Sequence, residues 1–131
     1  MKYLVDTHII LWTLLNSPKL SDTARQYLEN RNNTFYYSIA NVWEVGIKHM
    51  LAKADFPISA RQFADYCEEA GYIQLNISVK HIETLENLKT DNDHRDPFDR
   101  MLLAQAKAEK LGFISHDSKL EGYHEECFIF V

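Results

Sequence analysis

The sequence predicts an α/β fold in which a central, mainly parallel sheet is covered by helices on both faces, a three-layer α/β/α sandwich. Three observations predict it. Short apolar runs of strand character alternate with segments whose apolar residues recur at three- and four-residue spacing. Cap and stop residues punctuate the alternation, with Ser, Asp and Pro at helix starts and Asn and Gly at helix ends. No repeat, linker or low-complexity segment interrupts it, so residues 1–131 are expected to form one domain.

The elements follow in order. Lys2–Val5 is a strand, turning at Asp6-Thr7 into a helix that carries Ile9, Ile10, Trp12, Thr13 and Leu15. Asn16-Ser17-Pro18 stops that helix, and Ser21-Asp22 caps a second one running to about Asn30. The polar turn Arg31-Asn32-Asn33 leads into the aromatic strand Thr34–Ser38. Ser38 is a cap for the next helix, whose apolar stripe is Ile39, Val42, Trp43, Gly46 and Ile47. Glu44 lies off the centre of that stripe, so it need not be buried in the apolar core. Ser59 with Gln62 forms a capping box ahead of Phe63, Ala64, Tyr66 and Cys67, and Gly71 ends that helix. Tyr72–Ile77 reads as a third strand, and Ser78 opens a helix with Val79, Ile82, Leu85 and Leu88. Lys89–Arg95 is a charged loop. Asp96-Pro97 opens the last long helix, which shows Phe98, Met101, Leu102, Gln105, Ala108 and Leu111 before Gly112 as terminator. Phe98 and Met101 read as core residues. Phe113–Ser115 and Cys127–Val131 are the last two strands.

Composition narrows the function classes. Hydrophobic residues make up 46% of the chain, enough for a sizeable core, and the charged fraction of 25% is ordinary for a soluble protein. A formal net charge of -5 argues against broad electrostatic attraction to nucleic acid, although a metal offsets negative charge within one cleft. It also suits a receptor for a basic partner segment. Cys67 and Cys127 are the only cysteines, with no CxxC spacing, so no disulfide framework is expected. Cys67 falls in a helical pattern and reads as a core residue. No segment approaches a membrane span of about 18 apolar residues or a secretory signal, and a cytoplasmic protein with no membrane contact is expected.

The informative feature is a set of acids. In an open α/β sheet, strand C-termini and the following helix N-termini share the edge that binds ligands. Asp6 ends the first strand, Glu44 lies in the helix after the second, Asp99 sits in the first turn of the helix opened by Asp96-Pro97, and Asp117 follows Phe113–Ser115. Singly, each has a structural reading: a turn residue at Asp6, a helix-dipole partner at Asp99, a cap at Asp117. Together on one edge they indicate a site. Two carboxylates about 4 Å apart repel by roughly 4 kcal/mol at an effective dielectric of 20, so their convergence requires raised pKa values or a cation. All-oxygen ligands select Mg²⁺ or Mn²⁺. Asp96 reads as an N-cap that adjoins this site. His94, His116, Arg95 and Arg100 lie beside the acids as candidate substrate contacts; pairing with the surrounding aspartates is the bland alternative for the arginines. The six histidines show no HExxH spacing, and no glycine-rich phosphate loop or nucleophile motif is present.

In ordered sequence, these segments resemble the PIN-domain ribonucleases, and among them the VapC-type toxins of toxin–antitoxin pairs. The matching stretches are Tyr3-Leu4-Val5-Asp6-Thr7-His8, Ser38 with Glu44, His94-Arg95-Asp96-Pro97-Phe98-Asp99-Arg100 continuing to Ala106, and Phe113-Ile114-Ser115-His116-Asp117. The opening and closing motifs are weak alone; the ordered set is specific. The resemblance implies a PIN-like α/β/α sandwich and a metal held by Asp6, Glu44, Asp99 and Asp117. It also implies Mg²⁺- or Mn²⁺-dependent endonuclease action on RNA, homodimerisation, and inhibition by a small antitoxin protein that covers the cleft. Ser115-His116 departs from the Thr-Arg common before the last acid, keeping the hydroxyl and losing a fixed cation. The alternatives are an RNA-processing PIN nuclease without an antitoxin and a non-catalytic PIN-like protein-binding domain. A receiver-like signalling domain is disfavoured, because Thr7 follows Asp6 where a second acid belongs and Lys119 is poorly placed.

Overall fold

Five strands form one sheet in the computed structural model, which describes residues 1–131. They are β1 (Lys2–Val5), β2 (Thr34–Ser38), β3 (Ile73–Leu75), β4 (Gly112–Ser115) and β5 (Phe128–Phe130), in the order β3-β2-β1-β4-β5. Every neighbouring pair is parallel. Six helices connect them: α1 (Thr7–Leu14), α2 (Asp22–Glu29), α3 (Ile39–Met50), α4 (Ala60–Glu69), α5 (Val79–Glu86) and α6 (Pro97–Glu109), with a 3-10 segment at Ser118–Tyr123.

Strand alternation sorts the core into two layers. Tyr3 and Val5 pack on one face with Ile9, Ile10 and Leu11 of α1, Ala24 of α2 and Phe63 and Cys67 of α4. Leu4 points to the other face and meets Leu102, Leu103 and Ala106 of α6 together with Leu120 and Tyr123. Helix α3 serves both layers, Val45 on the first and Ala40 on the second. Each fully buried Leu, Ile or Phe contributes roughly 1.5–3 kcal/mol. The chain builds outward from β1 through β2 to β3, then returns to β4 on the other side. The strand order therefore reverses between β1 and β4, which opens a crevice at their C-terminal ends.

Capping residues place the helix starts as expected, and local chemistry explains the exceptions. The Ser59–Gln62 box is formed, and Ser38 and Ser78 form equivalent boxes with Asn41 and His81. Asn16 (φ 50°) and Gly71 (φ 85°) end α1 and α4 in the left-handed region. Strand β3 is shorter than the expected 72–77, because Tyr72 is drawn into the core and Asn76–Ser78 turns to cap α5. The left-handed residue after α6 is Lys110 (φ 58°) rather than Gly112. Gly112 instead begins β4 in close contact: a Cβ there would lie 2.6 Å from a Tyr3 ring carbon and 2.9 Å from Ile129. Its requirement is space. Trp43, placed in the apolar stripe of α3 by spacing, is 58% exposed and packs edge-on against Phe98 at 5.0 Å. Phe98 and Met101 are only half-buried.

Candidate metal centre

The register of β1 and β4 sets the first half of the site. Val5 pairs with Ile114, so Asp6 and Ser115 emerge side by side, and the Asp6 amide donates to the Ile114 carbonyl at 2.9 Å. Asp6 caps α1: its Oδ1 accepts from the Thr7 amide at 2.7 Å, and its Oδ2 accepts from the Ser115 hydroxyl at 2.5 Å. Ser115 Oγ in turn accepts from the Asp117 amide at 3.1 Å, which links the two acids through one hydroxyl. Asn41, buried in the first turn of α3, fixes the second half. Its Oδ1 accepts from the Ser38 amide at 2.6 Å, and its Nδ2 donates to Thr7 Oγ1 at 2.9 Å. Ser38 donates to Gln105 Oε1 at 2.5 Å, tying α3 to α6. One turn beyond Asn41 stands Glu44. Asp99 is set by the start of α6, where Asp96 Oδ1 accepts from the Phe98 and Asp99 amides at 2.9 and 3.0 Å and Pro97 supplies the first helical residue.

These placements converge. Ligand oxygens of Asp6, Glu44 and Asp99 all lie within 4.8 Å of one another, and His94, Asp99 and Asp117 form a second such group sharing Asp99. The four acids face a cleft of about 340 Å³ that His8, Trp12, Lys48, Asp55, Asp96 and His116 also line. Burial pushes the Asp6 carboxyl well above the usual carboxylate range; the Ser115 hydrogen bond opposes this, and the charges of Glu44 and Asp117 add to it. Burial likewise raises Asp99, reinforced by Asp6, Asp96, Glu44 and Asp117. Burial pulls the Lys48 ammonium down, but the hydrogen bond and charge of Glu44, with Asp96 and Asp99, outweigh it and hold it above its ordinary value. Burial depresses His8. Glu44 is only 2% exposed. Its Oε2 accepts from Lys48, while its Oε1 is buried with no hydrogen-bond partner. Three close hard-oxygen donors, mutually repelling, with one oxygen orphaned away from water, fit a divalent cation of the Mg²⁺ or Mn²⁺ kind.

The PIN-domain family model matches residues 3–125. This chain belongs to the PIN-domain family. Several solved structures share its fold at low identity. VapBC2 from Rickettsia felis, bound to a DNA fragment from its promoter, superposes with a TM-score of 0.70 and 17% identity over 100% of this chain and 98% of that one. VapBC-1 from nontypeable Haemophilus influenzae gives 0.68 and 17% over 99% and 98%. A toxin–antitoxin complex from Klebsiella pneumoniae gives 0.66 and 20% over 97% and 95%. No curated protein is a significant sequence match.

The PIN domain thus brings together Asp6, Glu44 and Asp99, with Asp117 on the far side of Asp99 beside His94. Asp96 both caps α6 and lines the cleft. His116 lines it too, its Nδ1 bonded to the Val131 carbonyl. Arg95 and Arg100 do not reach the cleft; they line a separate cavity with Lys89, Thr90 and Asn92. Arg95 donates to the His94 carbonyl, and Arg100 to Tyr123 and the Leu85 carbonyl. His94, expected beside substrate, is 6% exposed and packed beneath the acids. Sequence reasoning missed Lys48, although its i+4 spacing from Glu44 was available as a signal. It also missed His8, Trp12 and Asp55, which reach the cleft only through tertiary packing.

Proposed function

We propose that this PIN domain is a divalent-metal-dependent endoribonuclease and the toxin component of a toxin–antitoxin pair. It would act in the cytoplasm as a homodimer, restrained by a small antitoxin protein. The orphaned Oε1 of Glu44, buried against Asp6 and Asp99, carries the reading. A protein with no use for a cation there would be destabilised by an unpaired buried oxygen among like charges. The solved toxin–antitoxin complexes, which match over nearly their whole length, support the biological setting.

Asp6, Glu44 and Asp99 would hold the cation, and Asp117 would complete the acidic cluster. When bound, the cation supplies Lewis-acid polarisation of a phosphoryl oxygen and acidifies a water. The chain's own contribution is placement. Ser115 and the Thr7 amide hold both oxygens of Asp6, and the Asp96 cap presents Asp99 from the first turn of α6. Lys48 supplies positive charge on a cleft wall where a phosphodiester would otherwise meet carboxylates. The test is incubation of the purified protein with total RNA, with Mg²⁺ or Mn²⁺ and with EDTA. Cleavage that EDTA abolishes and Asp99→Asn eliminates supports the reading; cleavage indifferent to both overturns it.

A further inference from the structure

An arc of rings runs along the acid cleft, and nothing in the metal-binding set uses it. Lys48 Nζ lies 5.1 Å from the centre of the Phe56 ring. Phe56 meets His8 edge-on at 5.3 Å, and His8 meets Trp12 at 5.7 Å. Trp12 meets His116 edge-on at 5.6 Å, and His116 stacks on Phe130 at 5.2 Å. Local structure puts the arc there. His8 and Trp12 are four residues apart on α1 and so share one helix face, beginning beside the Asp6 cap. His116 lies between Ser115, which donates to Asp6, and Asp117; its Nδ1 is bonded to the Val131 carbonyl. The arc is anchored at one end and open at the other. Phe56 is buried and Trp12 packs partly against the first core layer, whereas His116 is exposed and Phe130 is 46% exposed.

Apart from acids and Lys48, only His8, Trp12 and His116 line the cleft. That lining dictates what can rest where. Carboxylates repel the phosphates of a nucleic-acid strand, so away from positive charge the strand must present its neutral part. That part is the base, whose π-face stacks on aromatic rings whatever the sequence. We propose that Trp12 and His116 form a base-stacking subsite of the cleft, with His8, Phe56 and Phe130 as the supports that fix the two rings. His116 contributes a flat ring and not a positive charge. The identity of the strand as RNA rests on the proposed function; the seat for a base does not.

Trp12 reports its own occupancy. Trp43→Phe leaves it the only tryptophan, and a base stacked on an indole quenches its fluorescence. The probes are single-stranded hexa-adenylate RNA and an abasic ribose-phosphate strand of the same length and charge. Each is titrated in EDTA and again with Ca²⁺ in place of Mg²⁺. Hexa-adenylate should quench Trp12 saturably in at least one condition, and the abasic strand should bind about tenfold more weakly or not at all. His116→Ala should weaken hexa-adenylate binding about tenfold, whereas His116→Phe should stay close to the parent protein. Both variants lose the bond to Val131, so the difference between them isolates the ring. No quenching in either condition, equal affinity for the abasic strand, an unaffected His116→Ala protein, or equal loss in both His116 variants overturns the proposal. Quenching by hexa-arginine and not by RNA also overturns it and makes the arc a seat for a basic protein segment. Should Trp43→Phe not fold, the wild type is titrated instead, and unchanged quenching in Trp12→Phe overturns the proposal. If hexa-adenylate quenches Trp12 while total RNA is never cleaved, the nuclease reading fails and the base seat stands.

Discussion

Glu44 and Lys48 stand one helical turn apart on α3, the ammonium against Oε2 at 2.5 Å and Oε1 without a partner. The buried carboxylate is therefore half satisfied. A lysine is a single point of charge on a flexible stem; here it sits where the positive charge of a cation shared with Asp6 and Asp99 would also act. Lys48 is anchored over the Phe56 and Phe98 rings at 5.1 and 5.8 Å, so it is held at the wall of the cleft rather than roaming in solvent.

Lys48→Met should expose this relationship. Removing one partner of a buried ion pair costs about 3–5 kcal/mol, and the partial exposure of Lys48 places this pair at or below the low end. The metal-free variant should melt below the wild type in EDTA. Millimolar Mg²⁺ should raise its melting temperature more than it raises that of the wild type, because the ion then neutralises a cluster with no internal counter-ion. An equal or smaller rise would show that Lys48 and the ion do not share the charge of Glu44.

Asp6 allows a complementary test. Asn caps helices about as well as Asp, so Asp6→Asn should keep the start of α1 and the fold. The wild type should be stabilised by Mg²⁺ or Mn²⁺ by mass action, about 2.7 kcal/mol at a hundredfold excess over Kd, and Asp6→Asn should lose most of that gain. Melting curves of both proteins across a metal titration measure it; identical wild-type curves with and without millimolar metal would remove the proposed cation site.

Burial and mutual repulsion also fix a sign for pH dependence. Asp6 and Asp99 are raised in the folded protein, while the unfolded chain holds them near 3.9. Above that value the native state binds more protons than the unfolded one, so metal-free stability falls as pH rises toward the raised values. His8, depressed by burial, works the other way and loses stability as pH falls. Comparing the wild type with Asp99→Asn removes the His8 contribution. In EDTA, the wild type should lose stability relative to Asp99→Asn between about pH 6 and about pH 8, and Mg²⁺ should flatten the difference. Parallel melting profiles for the two proteins in EDTA would contradict the assigned strain at Asp99.

The acids that end a strand or open a helix were legible because local chemistry marks their positions. Asp6 follows an apolar run, Asp96-Pro97 announces a helix start, and Asp117 follows Ser115, so sheet topology alone carries them to one edge. Glu44 was legible as a member of the set but not as a buried residue, since helical spacing records its angle from the apolar stripe and not the polar cleft that encloses it. Trp43 failed for the converse reason: its spacing is that of a core residue, yet it meets Phe98 of α6 only edge-on and stays largely exposed. The arginines were misplaced because proximity in sequence to Asp99 says nothing about direction. Arg100 is one residue beyond Asp99, about 100° around the helix, and so points toward α5 and Tyr123 instead of into the cleft.

Asp96 and Asp99 lie three residues apart and should separate cleanly by experiment. Asp96 Oδ1 accepts from the Phe98 and Asp99 amides, which is the work of an N-cap, whereas Asp99 turns its carboxylate toward Asp6 and Glu44. Asp96→Asn preserves the acceptor and should cost little stability and leave most cleavage intact. Asp96→Ala removes it and should cost roughly 1 kcal/mol. Asp99→Asn should keep the fold and lose metal-dependent RNA cleavage, because a neutral amide is a poorer ligand for Mg²⁺ than a carboxylate. If the proposed toxin role holds, expression of the intact chain should arrest growth and expression of Asp99→Asn should be tolerated. Asp96 lines the same cleft and adds its charge to Asp99, so the decisive comparison is Asp96→Asn. A folded but inactive Asp96→Asn protein would place Asp96 inside the metal-binding cluster and not merely at the head of its helix.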